Sequence, residues 1–167
     1  MLKNLGNLRI TLITATLIFI ADQMTKWMII SSIPRGFEKI VFDGFFSLVH
    51  VQNRGAAFGF LNRSDIDWQV WLFSVVTIIA SVVILRLTCT YPTKKFHILP
   101  ISLGFVLGGA LGNMLDRIRF HSVTDFLDFY LGDYHWPAFN LADSAICCGA
   151  AVAFIILWKM PTKHQGN

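Results

Sequence analysis

Four long stretches of the chain are apolar with hardly a charge, and the polar residues crowd into the segments between them. About 20 apolar residues cross a ~30 Å hydrocarbon core as a helix, so residues 8–30, 68–87, 98–115 and 138–158 each predict a membrane span. A fifth does not fit. Segment 31–67 follows another rhythm. Ile40-Val41-Phe42 and Phe45-Phe46-Ser47-Leu48-Val49-His50-Val51 flank Asp43-Gly44, a dipeptide favoured in two-residue hairpin turns. A small β-hairpin sheet is expected over about residues 34–60. Its Phe37, Phe42, Phe45 and Phe46 suit the bilayer surface better than water. Residues 117–136 read as a short interfacial loop or flap, with Phe120, Phe126, Phe129, Tyr130, Tyr134 and Trp136 along it and Gly132 as its hinge.

Composition narrows the class. With 54% hydrophobic residues, 14% charged ones and a mean hydropathy of +0.58, the chain is a membrane protein and not a soluble domain. The expected fold is an all-α membrane protein, one integral domain over 1–167, with four transmembrane helices and a small extracytoplasmic β-hairpin sheet on the membrane.

Charge supplies the orientation. Lys3 and Arg9 precede the first span, Arg86, Lys94 and Lys95 accompany the connection between spans two and three, and Lys159 and Lys163 follow the fourth. No acidic residue joins them; all ten lie in the other two connections or in the span ends beside them. Short cytoplasmic segments are enriched in Lys and Arg, so both termini are expected in the cytoplasm and both acidic connections outside. The sequence pI of about 9.2 then reports topology and not nucleic-acid binding. The first segment is too long for a cleavable signal peptide and lacks a prompt small-x-small site. Residues 161–167 read as a disordered tail.

Gly104, Gly108 and Gly112 recur every four residues in the third span, a face on which another helix can approach closely in lipid. Asn113, Asp116 and Arg117 share a face at i, i+3 and i+4 at the end of that span. Pro137 suits a first helical turn, which sets Asn140 and Asp143 near the start of the fourth helix, where the dipole favours a carboxylate. Cys89, Cys147 and Cys148 are read as packing residues.

Asp125 and Asp143 carry the most information, because each lies where the chain meets the hydrocarbon boundary, and ionisable groups there usually have a function. Two acids near one membrane surface cost energy unless they share a proton. Aspartyl catalysis uses such a pair: an ionised carboxylate takes a proton from water while its protonated partner donates to the scissile carbonyl. The purely structural alternative has Asp143 capping or stapling helices and Asp116 pairing with Arg117 or Arg119.

Five motifs in order resemble the lipoprotein signal peptidase family, also called signal peptidase II. They are Asp22-Gln23-Met24-Thr25-Lys26, Asn53-Arg54-Gly55-Ala56-Ala57-Phe58, Gly112-Asn113-Met114-Leu115-Asp116-Arg117, Val123-Thr124-Asp125-Phe126 and Phe139-Asn140-Leu141-Ala142-Asp143. Thr124 departs from a position that is often aliphatic in the family. The resemblance implies an aspartic endopeptidase of the bacterial inner membrane whose active site faces the periplasm. It would remove the signal peptide from diacylglyceryl-modified pro-lipoproteins by cutting before the lipidated cysteine. It further implies Asp125 and Asp143 as the catalytic dyad, with Asn53, Gly55, Asn113, Asp116, Arg117, Asn140, Asp22 and Lys26 binding substrate or supporting the dyad. No metal or other cofactor is expected. The expected partners are the pro-lipoprotein and membrane lipid, with no nucleic acid, and the protein acts as a monomer.

Other classes leave different marks. A metalloprotease needs ligands at regular spacing, and His121 with Asp125 lacks a third. Ser144 has no His base in another span. A small proton-coupled transporter using Asp22, Asp125 and Asp143 as a relay is the main alternative, but no inverted repeat is visible. A scaffold would tolerate Asn at both aspartates.

Overall fold

The computed structural model describes residues 4–55, 68–90 and 97–159. The described residues form four helices, α1 (Leu5–Ser32), α2 (Trp68–Thr90), α3 (Ile98–Phe120) and α4 (Leu141–Trp158). All four are long and apolar enough to cross a membrane. Strands β1 (Glu38–Phe42) and β2 (Phe46–Asn53) lie between α1 and α2, and β3 (Val123–Leu131) and β4 (Tyr134–His135) lie between α3 and α4.

The helices match the expected spans but run longer at several ends. At ~1.5 Å per residue, the 28 residues of α1 cover about 42 Å, more than the ~30 Å hydrocarbon core. The fourth helix starts at Leu141 and not at 138. Phe139 is held back as extended chain, donating to Leu127 O at 3.1 Å and accepting from Leu127 N at 2.8 Å.

The anticipated hairpin is half of a larger sheet. Asp43-Gly44 does make the turn, with Gly44 at φ 76°, where a Cβ would be strained. The strands run β1-β2-β3-β4, each antiparallel to its neighbour. Residues 123–131 are therefore a strand and not a loop or flap, and Gly132 serves the β3–β4 turn instead of hinging a flap. The first six residues of β3 are buried or nearly so on both faces. That removes the clean alternation by which a half-exposed strand is read. Ala56, Ala57, Phe58 and Gly59 lie outside the described residues, as do Lys94, Lys95 and the tail.

Packing follows the glycine face. A Cβ on Gly104 would come within 2.8 Å of Thr11 O, and one on Gly108 within 2.5 Å of Ala15 O. A Cβ on Gly112 would come within 2.5 Å of Asp22 Oδ2. Absent side chains thus let α1 lie directly on α3. Gly109 and Gly149 do the same for α3 and α4, against Ala142 O and Ser102 O. Helix α3 is the central element, and α2 packs on it from the periphery. Cys147 and Cys148 are exposed on α4 and not packed; Cys89 is half-buried.

This packing makes one substitution costly. Gly108→Val should lower the thermal unfolding midpoint in detergent, by an over-packing cost of about 1–3 kcal/mol. Gly6→Ala, with nothing near its Cβ position, should leave the midpoint almost unchanged.

Candidate active site

A cavity of about 560 Å³ opens at the end of the bundle that meets the sheet. Asp125 reaches it from β3, Asp143 from the first turn of α4, Asn113 and Arg117 from α3, and Asn53 and Gly55 from the end of β2 and just beyond. Its apolar wall includes Val51, Val123, Trp136, Phe139, Ile146 and Cys147.

Two asparagines hold Asp125. Asn140 Nδ2 donates to Oδ1 at 2.7 Å and Asn53 Nδ2 donates to Oδ2 at 3.0 Å. Each amide is oriented by a second bond on its oxygen. Asn53 Oδ1 accepts from Gly55 N at 2.9 Å, and Asn140 Oδ1 accepts from Asp143 N at 2.9 Å. The latter makes Asn140 the N-cap of α4, and Asp143 Oδ2 closes a capping box by accepting from Asn140 N at 3.3 Å. Asp143 therefore both caps the helix and faces the cavity. Its Oδ1 accepts from Asn113 Nδ2 at 2.8 Å.

Behind these groups lies a buried charged cluster. The Lys26 ammonium has three donors and three partners: Asp22 Oδ2 at 2.9 Å, Asp116 Oδ2 at 3.1 Å and Asn113 Oδ1 at 2.8 Å. Asp22 Oδ1 also accepts from Ala142 N at 3.0 Å, so α1 supplies a carboxylate to the positive end of α4. Asp116 Oδ2 accepts from Thr124 N at 3.1 Å, which ties α3 to β3. Asp116 thus pairs with Lys26, not with Arg117 or Arg119 as the structural alternative had it. Gln23, quoted in the first motif but given no role there, donates to Asp22 Oδ2 and Asp116 Oδ1, both at 3.1 Å.

Of the residues singled out by sequence, Asp125, Asp143, Asn53, Gly55, Asn113 and Arg117 line the cavity, while Asn140, Asp116, Asp22 and Lys26 support it from beneath. The Arg117 guanidinium lies 4.6 Å from the Phe73 ring centroid and donates from Nη1 to Asn113 O at 3.3 Å. Its buried Nε has no hydrogen-bond partner among the described residues. Trp136, Phe139 and Val51 were missed as site residues; only their cross-strand pairing brings them to the cavity. His121 caps the end of α3 with φ 55°, and His135 stacks on Tyr130 and bonds Asp128. Among the described residues, no three His, Cys, Asp or Glu side chains gather as metal ligands.

Burial, and secondarily the charge of Asp143, pushes the Asp125 carboxyl up to about 7, against the opposing pull of the Asn53 and Asn140 amides.

Among the described residues, four helices long and apolar enough to span, with a largely apolar cavity that holds two carboxylates at one end, define a multi-pass membrane protein. The chain belongs to the signal peptidase II family, whose model, described as signal peptidase (SPase) II, matches residues 14–159. A lipoprotein signal peptidase of Nitratidesulfovibrio vulgaris is 51% identical over 159 residues, 95% of each chain. One of Maridesulfovibrio salexigens is 52% identical over 148 residues, 88% of this chain and 94% of that one. A solved structure described as a bacterial membrane enzyme superposes with a TM-score of 0.79 at 27% identity, covering 94% of this chain and 92% of its own. The protein is a membrane peptidase.

A raised carboxyl pKa has a definite sign in stability. Between pH 3.8 and about 7 the folded state holds a proton at Asp125 that the unfolded chain has lost, so this group's contribution falls as pH rises through that window. Asp125→Asn should remove the dependence. The check is the unfolding midpoint of both proteins across the window: the variant should gain on wild type as pH rises, and a constant difference would refute the shift.

Proposed function

We propose that the protein is an aspartic endopeptidase that frees diacylglyceryl-modified pro-lipoproteins of their signal peptides by cutting before the lipidated cysteine. The observation that carries this reading is that two carboxylates, the buried Asp125 and the half-buried Asp143, face one cavity at the end of a membrane helix bundle. The names of the relatives, lipoprotein signal peptidases, support the substrate class.

The chemistry needs one proton between the two acids. The ionised carboxylate takes a proton from water as the water oxygen attacks the scissile carbonyl, and the protonated carboxylate gives its proton to the carbonyl oxygen. Collapse of the tetrahedral intermediate returns a proton to the leaving amine, yielding a free signal peptide and a lipidated N-terminal cysteine. Asn53, Asn113 and Asn140 suit this exchange because neutral amides orient carboxylates without a full charge that would hold both ionised. Arg117 lines the cavity and offers its guanidinium to a substrate carbonyl.

The substrate's apolar signal segment lies in the bilayer beside the spans, and its scissile bond enters the cavity at the outer surface. Phe37, Ile40, Phe42 and Phe45 are exposed on the first hairpin, which suits contact with the bilayer interface. The charge distribution supports cytoplasmic termini and a periplasmic site in the bacterial inner membrane. The enzyme works there as a monomer with lipid around it. No specific observation favours a transporter.

The test is cleavage of a purified diacylglyceryl-modified pro-lipoprotein in detergent micelles, followed by gel shift. Wild type should cut the lipidated substrate, leave the unlipidated one intact and keep its activity in chelator. Asp125→Asn and Asp143→Asn should each lose roughly 10³-fold or more, and Asn140→Ala should be slower than wild type. Equal cutting by either Asp variant would end the dyad assignment.

A further inference from the structure

Three asparagines aim amide N–H groups at the two carboxylates of the site, and each is held by a donor on its oxygen. For Asn53 and Asn140 that donor is a backbone N–H. For Asn113 it is the side chain of Lys26, at 2.8 Å.

An asparagine amide turned by a half-rotation exchanges its oxygen and nitrogen. If Asn113 turned, its NH₂ would oppose an ammonium that has donors and no acceptor, and its oxygen would oppose Asp143 Oδ1. Lys26 therefore permits one orientation only, whatever the protonation state of Asp143. A protonated Asp143 could otherwise donate to the Asn113 oxygen and draw the amide round with it. With Asn113 locked as a donor, Oδ1 of Asp143 stays an acceptor. Proton traffic is left to Oδ2, whose bond from Asn140 N is the longer one at 3.3 Å.

We propose that Lys26 is a positioning residue of the dyad, acting through the Asn113 amide to keep one oxygen of Asp143 proton-free throughout the reaction. The inference rests on the aspartic reading above. Lys26 is 2% exposed and does not line the cavity, so it has no route to the substrate except through its partners.

The experiment is a double-mutant cycle on the full-length protein in micelles, with a diacylglyceryl-modified pro-lipoprotein as substrate and kcat and KM read separately. Lys26→Met should lower kcat about 10- to 100-fold, the range seen when a group that orients a ligand indirectly is removed, with KM within about twofold. Asn113→Ala should lower kcat by a similar factor, and the double variant should be no slower than Asn113→Ala alone. Lys26→Met also leaves Asp22 and Asp116 unpaired, which threatens folding. Lys26→Met combined with Asp116→Asn preserves the cluster's net charge, and the same cycle in that background carries the test. An unchanged kcat, a loss seen in KM alone, or costs that multiply in the double variant would overturn the proposal. Should Asp143→Asn remain active, the dyad reading itself falls; should Asp143→Asn be dead while Lys26→Met keeps its kcat, only the positioning role of Lys26 falls.

Discussion

A buried ammonium must be paired, and the pairing of Lys26 is the constraint around which the rest of the site is arranged. Its three donors end on Asp22 of its own helix and on Asp116 and Asn113 of α3. Removing one partner of a buried ion pair leaves an uncompensated charge at a cost of several kcal/mol, so α1 and α3 are held in one register. The glycine face makes that register reachable: a side chain at Gly112 would occupy the space of the Asp22 carboxylate. Small residues and buried charge therefore answer the same requirement, that two helix backbones approach closely at one end of the bundle.

From that cluster, order spreads to the two elements that bear the acids. Asp22 reaches Ala142 N on α4, and Asp116 reaches Thr124 N on β3. The residues next along each chain, Asp143 and Asp125, are thereby set within reach of Asn140, which binds both. An aromatic group formed by Phe46, Phe129 and Phe139, with ring centroids 4.7 and 5.9 Å apart along it, backs the extended segment before α4. The sheet is thus the means by which one acid is brought over the helix end that carries the other.

Much of this was legible in the amino-acid sequence, for reasons that differ by element. The four spans follow from apolar length alone, and the Asp43-Gly44 turn and the Gly104, Gly108 and Gly112 face from local chemistry. Asn140 and Asp143 could be set near a helix start because capping depends on residues three apart. Strand β3 was read as a loop because it is buried on both faces and its polar residues, Thr124, Asp125 and Asp128, are satisfied by distant partners. The resemblance named Lys26, Asp22, Asp116 and Asn113 as supports, but their contacts were out of reach for a related reason: Asn113 lies 87 positions from Lys26, and no local pattern announces that contact. Gln23 stood in a quoted motif, yet its role appears only once α1 and α3 are packed.

The central claim is that the two carboxylates work as a pair holding one proton. Its most direct test is the pH dependence of single-turnover cleavage by wild type, measured on a diacylglyceryl-modified pro-lipoprotein in micelles. A shared proton predicts a bell, with the rate falling on the alkaline side as the pair gives up its last proton near the value of about 7 reached by Asp125. A rate that keeps rising above that pH, as for attack by hydroxide or a thiolate, would contradict the account.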